Sequence, residues 1–248
     1  MKVLDLFSGI GGFSLGLERA GMETVAFCEI EDYPRKVLAK HWPDVPIYGD
    51  IRTLTAEDLP DDIGLICGGY PCQPFSQAGK RGGEEDDRHL WPEMYRIIRT
   101  VRPRWVIAEN VAGHITMGLD AVLSDLESAG YTCWTFVIPA CAVGAHHRRD
   151  RVWTIAYSDA VRFQKRINVV RYGGIPQGAF QGGKANGIHA QKISNTKGDD
   201  WEITAKPLLC GTVNGIPSRV DRLKGLGNAV VPQVVEMIGR GIMVIENE

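Results

Sequence analysis

Apolar and polar residues follow two different rhythms along the first 157 residues. Short apolar or β-branched runs predict strands at Lys2–Phe7, Thr24–Cys28, Ile63–Cys67, Trp105–Ala108, Tyr131–Ile138 and Val152–Ala156. Longer segments with an apolar face predict helices at Gly11–Ala20, Glu31–His41, His89–Val101 and Leu119–Ala129. Strands that alternate with helices of this length predict an α/β fold with a mainly parallel sheet and helices on both faces.

This rhythm is lost after about residue 157, where glycines crowd and apolar periodicity is weak. The composition predicts a small loop-rich region over residues 158–218. Apolar periodicity then returns and predicts a helix over Gly227–Ile245. We therefore divide the chain into a first domain, 1–157, a small lobe, 158–218, and a C-terminal segment, 219–248, that returns to the first domain.

Charge is distributed unevenly although the 248-residue chain has a net charge of only −2. Residues 147–224 hold 14 basic and 6 acidic residues, a net +8, against −10 for the remainder. A basic segment on an acidic body is typical of a phosphate-binding face, and a solvated basic loop is the alternative. The six cysteines lack metal-ligand spacing, which predicts a reducing cytosol and no metal. The sequence has no apolar run of about 18 residues or more, so we predict no membrane span.

A glycine-rich turn, Phe7-Ser8-Gly9-Ile10-Gly11-Gly12, follows the first predicted strand. Such a turn lets the backbone approach a ligand closely, although a tight strand-to-helix turn is the alternative. Glu29 ends the second strand, where an acid can accept hydrogen bonds from ribose hydroxyls. Asp50 and Ile51 could place a carboxylate and an apolar side chain against an adenine. Together these positions predict a cofactor that contains adenosine.

Residues able to carry covalent chemistry follow later strands. Cys72 lies between prolines directly after an apolar strand, which favours an exposed nucleophile over a buried structural thiol. Glu109 follows the strand Trp105–Ala108 and is a candidate acid or hydrogen-bond partner; a solvated loop carboxylate is the alternative. Arg149 and Arg151 share one face of an extended segment and suit phosphate or base-carbonyl contacts, unless they form a solvated basic edge.

With these sites in order, the sequence resembles the DNA (cytosine-5)-methyltransferase family, of the phage or restriction-modification type. The segments that carry the resemblance are DLFSGIGG, GGYPCQPFS, DRHL, ENV, the two arginines and GNAVVP. The resemblance implies a Rossmann-like, S-adenosylmethionine-dependent methyltransferase sheet with a small target-recognition lobe. It also implies double-stranded DNA as the partner, a cytoplasmic monomer in a bacterial or phage-infected cell, and a cognate restriction endonuclease that acts separately.

The resemblance assigns roles to residues. Cys72 would attack C6 of a flipped-out cytosine, Glu109 would contact the base, and Arg149 and Arg151 would hold the base or a phosphate. The S-adenosylmethionine pocket would be lined by Phe7, Ser8, Gly9, Gly11, Gly12, Glu29, Ile30, Asp50, Ile51, Pro71, Leu90, Asn228 and Ala229.

Departures from the family pattern keep alternatives open. His146 and His147 stand where many members have Pro-Gln, and the lobe of about 60 residues is short for target recognition. The same chemistry on tRNA is one alternative, although Tyr70 precedes Pro71 and no Cys-Phe-Thr tripeptide is present. A catalytically silent DNA-binding relative is another. A nicotinamide-dependent dehydrogenase gives Cys72 and Glu109 no role.

Overall fold

The computed structural model describes residues 1–71, 90–158 and 218–247, and these contain seven strands and six α-helices. The strands are β1 Lys2–Leu6, β2 Glu23–Cys28, β3 Ile47–Tyr48, β4 Ile63–Gly68, β5 Trp105–Val111, β6 Thr132–Pro139 and β7 Asp150–Tyr157. The helices are α1 Gly12–Arg19, α2 Asp32–His41, α3 Trp91–Val101, α4 Leu119–Ser128, α5 Arg219–Asn228 and α6 Pro232–Asn247. Short 3₁₀ turns cover Ala56–Asp58, Ala112–Thr116 and Ala140–Val143.

All seven strands form one sheet in the order β3-β2-β1-β4-β5-β7-β6. Strands β1 to β5 pair in parallel, whereas β7 runs antiparallel to both β5 and β6. The carboxyl ends of the five parallel strands therefore meet at one edge of the sheet, where α/β proteins bind ligands. Because β7 is reversed, its first residues join the same edge beside the end of β5.

Side chains alternate across β1 and show that helices cover both faces of the sheet. Leu4 and Leu6 point into a core cluster that also contains Met94 of α3 and Leu126 of α4. Asp5 points to the opposite face, where it contacts α1. The predicted α/β sheet with helices on both faces is confirmed.

Helix α6 packs closely against α1 on that second face. Its buried residues are Val234, Val235, Ile238, Gly239 and Ile242. Gly16 makes the close approach possible, because a Cβ there would lie 2.5 Å from the Pro232 carbonyl oxygen. The C-terminal segment is thus anchored to the helix that follows the glycine-rich turn.

The helix predicted over Gly227–Ile245 is confirmed from Pro232 onward, but it is interrupted before that residue. Helical structure stops after Asn228 and resumes at Pro232, leaving residues 229–231 as a connection. Proline suits the first turn of a helix and disfavours helical conformation in the residue before it, which explains the break. Taken as one stretch, Val220–Asn247 has the length and apolar composition of a membrane-crossing helix, the one such stretch in the described residues. Core helices share this composition, and the absence of a membrane span stays a prediction.

The chain divides into two compact units, Met1–Phe163 with Ala229–Glu248, and Gln164–Asn228. Within the second unit, residues 218–228 are described, and they consist mainly of α5. Most of the predicted lobe, residues 159–217, lies outside the described residues. The role of that lobe in target recognition therefore stays a prediction.

Candidate active site

The turn after β1 has an unusual backbone. Phe7 and Gly9 both have φ of 53°, and Gly11, the N-cap of α1, has φ of 85°. Left-handed backbone costs a residue with a side chain about 1–3 kcal/mol, and such strain concentrates at functional sites. At Gly11 a Cβ would also lie 2.6 Å from the Trp42 ring, so glycine is required there. Among the residues that the structure describes, no atom would lie within 4 Å of a Cβ on Gly9, so these residues leave open space along the turn.

Hydrogen bonds tie this turn to the end of β2. The Ser8 hydroxyl donates to the Asp5 carbonyl at 2.5 Å and accepts from the Cys28 amide at 3.2 Å. The Glu29 carboxylate is buried and accepts the Gly9 amide at 2.7 Å through Oε2. Its Oε1 accepts the Glu31 amide, also at 2.7 Å. A carboxylate has about four acceptor positions, so Glu29 keeps capacity for hydroxyl donors.

Asp5, a buried acid in β1 to which the sequence analysis assigned no role, stabilises the turn. Oδ2 of Asp5 accepts from the Ser14 hydroxyl at 2.7 Å and from the Ser14 amide at 3.3 Å. Within the described part of the chain, Oδ1 has no hydrogen-bond partner. Complete burial raises the pKa of Asp5 from 3.8 to about 7, although the bonds from Ser14 lower it. The presence of an acid within an otherwise apolar strand could have identified Asp5 from the sequence. Asp5 fixes the start of α1, and with it the glycine-rich turn.

The predicted adenine-binding residues lie at the same edge, after β3. Asp50 forms an ion pair with Arg52 at 2.8 Å, and Ile51 is buried in the core cluster. Ile30 is 60% exposed directly after Glu29, which suits an apolar contact with a flat ligand. Leu90, predicted inside a helix, precedes α3 as its N-cap and packs partly against the core cluster. The structure places these residues on neighbouring strand ends, and their contact with a cofactor stays a prediction.

The reversed strand β7 brings the arginines to Glu109. Val111 of β5 pairs with Arg151 in the antiparallel register, so the end of β5 adjoins the start of β7. Arg151 Nε lies 2.9 Å from Glu109 Oε1. Glu109 was predicted directly after the strand Trp105–Ala108, with a solvated loop as the alternative, but β5 extends to Val111 and Glu109 lies within it. The sequence pattern missed this extension because Glu and Asn are uncommon in strands.

The expectation that Arg149 is extended is wrong. Arg149 precedes β7 and has φ of 40°, a left-handed conformation, so strand alternation does not apply to it. Its Nη2 donates to the Ala229 carbonyl at 3.0 Å, and its positive charge acts on Glu109. Both arginines therefore influence the same carboxylate. The turn, not a shared strand face, produces this arrangement.

Burial dominates the electrostatics of Glu109. It raises the pKa of this carboxyl from 4.5 to about 7, and the attraction of Arg151 and Arg149 lowers it by less. Burial and the neighbouring Arg151 in turn lower the pKa of Arg149. A carboxyl with a pKa near 7 exchanges a proton at physiological pH, as a general acid or base requires.

The segment after β4 passes directly beside Glu109. A Cβ on Gly69 would lie 3.1 Å from Glu109 Oε2, so the absent side chain allows this approach. Asn110 Nδ2 donates to the Tyr70 carbonyl at 3.2 Å. Pro71 is the last described residue of the segment, and the predicted nucleophile Cys72 lies outside the described residues. The main chain leading to Cys72 is thus brought to the Glu109 side of the site.

The connection over residues 229–231 joins both halves of the site. The Ala229 carbonyl binds Arg149, and the next residue, Val230, lies 3.0 Å from where a Cβ of Gly12 would be. The connection therefore adjoins the arginine through Ala229 and the glycine-rich turn through Val230. Asn228 ends α5 in the second unit, so its place in a cofactor pocket stays a prediction.

The fold and these strand ends define a Rossmann-like α/β domain with its site at the carboxyl edge of the sheet. The chain belongs to the C-5 cytosine-specific DNA methylase family, whose model matches residues 1–197.

Named relatives extend this assignment. The chain is 37% identical over 159 residues to the Type II methyltransferase M.CviJI of Paramecium bursaria Chlorella virus IL3A, covering 62% of this chain and 42% of that protein. It is 36% identical over 167 residues to the Type II methyltransferase M.NgoBI of Neisseria gonorrhoeae, covering 65% of this chain and 52% of that protein. The chain thus spans about half the length of the curated relatives it matches.

A solved structure resembles the fold over nearly its full length. The crystal structure of the S. pombe Dnmt2 methyltransferase aligns with a TM-score of 0.64 over 96% of this chain and 97% of its own. Sequence identity is 18%, so this likeness concerns the fold alone.

Proposed function

We propose that the protein transfers a methyl group from S-adenosylmethionine to C5 of cytosine in DNA, through a covalent bond between Cys72 and C6 of a flipped-out base. One observation carries the proposal: a buried, readily protonated Glu109, paired with Arg151, lies against the chain segment that leads to Cys72. Membership in the cytosine-5 methylase family supports methylation of cytosine C5 as the reaction that this arrangement performs.

The turn after β1 fits the methyl donor. Glu29 has acceptor capacity for ribose hydroxyls, Gly9 leaves open space, and the N-terminus of α1 follows at once and favours a carboxylate. Ile30 offers an exposed apolar surface beside Glu29. When bound, the cofactor supplies an electrophilic methyl group on a sulfonium. Phe7, Gly9 and Glu29 would hold it at the end of β1 and β2.

Cys72 and Glu109, on the other half of the site, would activate the cytosine ring for methylation. Cytosine C5 is a weak nucleophile until a thiolate adds to C6, so Cys72 would form the C6–S bond. Glu109, protonated near neutral pH, would give its proton to N3 and so neutralise the charge that this addition creates. C5 would then take the methyl group, and the donor would leave as the neutral thioether S-adenosylhomocysteine. Loss of the C5 proton to a base and return of the N3 proton to Glu109 would re-form the ring double bond, expel the Cys72 thiolate and restore the protonated carboxyl.

Other cysteines near this edge are poor candidates for the nucleophile. Burial raises the pKa of Cys28 to about 12, and it raises the pKa of Cys67 well above its ordinary value, with Asp5 adding to the effect. Both thiols remain protonated at neutral pH, and the thiolate is the reactive form. Cys72, on its proline-flanked segment, fits the role better than either.

DNA as the substrate draws support from charge and from relatives. The segment 147–224 carries a net +8, which suits contact with phosphates. The target atom of a stacked base is inaccessible, so the cytosine must leave the duplex. A cognate endonuclease, a monomeric state and a cytoplasmic location in a bacterial or phage-infected cell complete the proposal.

The decisive assay measures transfer of a labelled methyl group to duplex DNA and, in parallel, to tRNA. We expect transfer to DNA by the wild type and none by Cys72→Ser. Cys141→Ser, which changes an exposed cysteine, is the matched control and should keep full activity. Transfer to tRNA alone would overturn the DNA assignment. Full turnover by Cys72→Ser would overturn the covalent mechanism.

A further inference from the structure

Tyr70 is the residue two positions before the proposed nucleophile, and it is held at both ends. Its side chain is only 5% exposed, and its hydroxyl lies 2.7 Å from Nε2 of His114. Its carbonyl accepts the hydrogen bond from Asn110. Its ring packs 5.1 Å from Trp91, measured between ring centroids. The backbone and the side chain of Tyr70 are thus fixed independently.

His114 is a suitable anchor because its own position is constrained. It lies in the 3₁₀ turn directly after β5 and is 4% exposed. A Cβ on Gly118 would lie 2.7 Å from its ring, so the imidazole fills the space beside that glycine completely. A buried polar ring needs a hydrogen-bond partner, and the Tyr70 hydroxyl provides one.

The two residues that hydrogen-bond Tyr70 lie in β5, which carries Glu109, and in the turn directly after it. Asn110 is the next residue of β5, and His114 lies in the turn that continues it. The strand β5 and the turn after it therefore carry the proposed acid and also hold the segment that leads to the nucleophile. Pro71 has a fixed φ, which limits the conformations of the segment that follows Tyr70.

We propose that Tyr70 and His114 form a positioning pair that fixes the main chain leading to Cys72 relative to Glu109. This inference rests on the proposed function, because it assumes that Cys72 and Glu109 act on one base. Neither member of the pair touches the base. The hydroxyl-to-imidazole bond holds the main chain that presents the thiol.

The first test compares Tyr70→Phe with the wild type in adduct formation on a duplex that contains 5-fluorocytosine. Loss of one buried hydrogen bond should slow adduct formation about 3- to 10-fold. S-adenosylmethionine affinity should stay within about twofold, because the bond that is lost runs to His114 in the turn after β5 and not to a predicted cofactor-binding residue. Tyr95→Phe is the matched control, since it removes a tyrosine hydroxyl that bonds Ser128 on the exposed side of α3. It should leave the rate unchanged.

A double-mutant cycle tests whether the two side chains act together. His114→Leu should slow adduct formation like Tyr70→Phe, and the double variant should be no slower than the worse single one. His114→Gln, whose amide can reach the position of Nε2, should restore much of the rate. Multiplied losses in the double variant, or an unchanged rate in Tyr70→Phe, would overturn the pair. Parallel losses of cofactor affinity and thermal stability would show a merely structural role and would also overturn it.

A DNA-free readout separates this inference from the proposed function. Alkylation of each cysteine by iodoacetamide, mapped by mass spectrometry, should be at least about threefold faster at Cys72 in Tyr70→Phe than in Tyr95→Phe. The exposed Cys141 serves as the internal reference. If the wild type forms no adduct but this difference is found, the covalent mechanism fails and the positioning role stands. Equal alkylation rates would reject the positioning role whatever the adduct assay gives.

Discussion

The two halves of the site, one at β1 and β2 and the other at β4, β5 and β7, depend on different kinds of contact. At the ends of β1 and β2, the Gly9 amide of the glycine-rich turn and the Glu31 amide both donate to the Glu29 carboxylate, and the buried acid Asp5 holds the start of α1. At the ends of β4 and β5 and at the start of β7, the contacts join charged and aromatic side chains far apart in sequence, such as Glu109 with Arg151. Under the proposed function, the first half would bind the cofactor with acceptors that are already in place. The second half would transfer the proton.

This difference predicts that mutations in the two halves affect different steps. Changes on the β1–β2 half should weaken cofactor binding and leave the base chemistry intact. Changes on the β4–β5–β7 half should do the reverse. Each prediction below names the step that should change and the step that should not.

The largest effect is expected at Glu109. Glu109→Gln keeps the shape but cannot give a proton to N3, so methyl transfer should fall about 10²- to 10⁴-fold, the range of general acid catalysis. S-adenosylmethionine affinity, measured by calorimetry, should be unchanged. Glu127→Gln on the exposed side of α4 is the control. A tenfold or smaller loss of transfer would remove the acid role from Glu109.

The next effect is expected at Glu29. Glu29→Gln replaces one acceptor oxygen with a donor, so either the Gly9 or the Glu31 amide loses its partner. A lost bond to a charged group is worth about 1.5–3 kcal/mol, which predicts roughly 10- to 150-fold weaker binding of S-adenosylmethionine.

Calorimetry gives the cofactor affinity of this variant, and Glu31→Gln, at an exposed position, is its control. The rate of adduct formation at saturating cofactor should match the wild type. A variant that binds cofactor normally but forms adducts slowly would reverse the assignment of the two halves.

The first half was largely predictable from sequence, and the second half was not. Glycines, a serine and an acid about 20 residues on form a local pattern, because the strand–turn–helix unit that binds a nucleotide is continuous in the chain. Glu109 and Arg151 were recognisable as motif residues, but their pairing depends on the antiparallel direction of β7. The left-handed Arg149 and the bond between Tyr70 and His114 depend on packing that no short pattern encodes.

Asp5 predicts a pH effect confined to the first half. Burial raises its pKa in the folded protein to about 7, above the ordinary 3.8, so its contribution to stability is fully present below about pH 4 and is lost as pH rises towards 7. Asp5→Asn cannot ionise and lacks this loss. Relative to Asp5→Asn, the wild type should lose about 2 kcal/mol of unfolding free energy between pH 5 and pH 8.

Urea unfolding at several pH values measures this difference. Asp61→Asn, at an exposed position, should follow the wild type at every pH. Parallel curves for the wild type and Asp5→Asn would mean that Asp5 ionises in the folded protein as it does in the unfolded chain. Adduct formation at saturating cofactor should be the same in both proteins at pH 6.

The smallest effect, and the sharpest on the second half, is expected at Arg151. Arg151→Lys keeps a positive charge but loses the planar Nε contact with Glu109, so methyl transfer should fall about tenfold. Because Arg151 lowers the pKa of Glu109, weakening the contact should raise that pKa above about 7. The protonated carboxyl is the active form, so the alkaline limb of the kcat/KM profile should move to higher pH. A limb that stays in place, or moves to lower pH, would show that Glu109 does not set it and that the proton comes from another group.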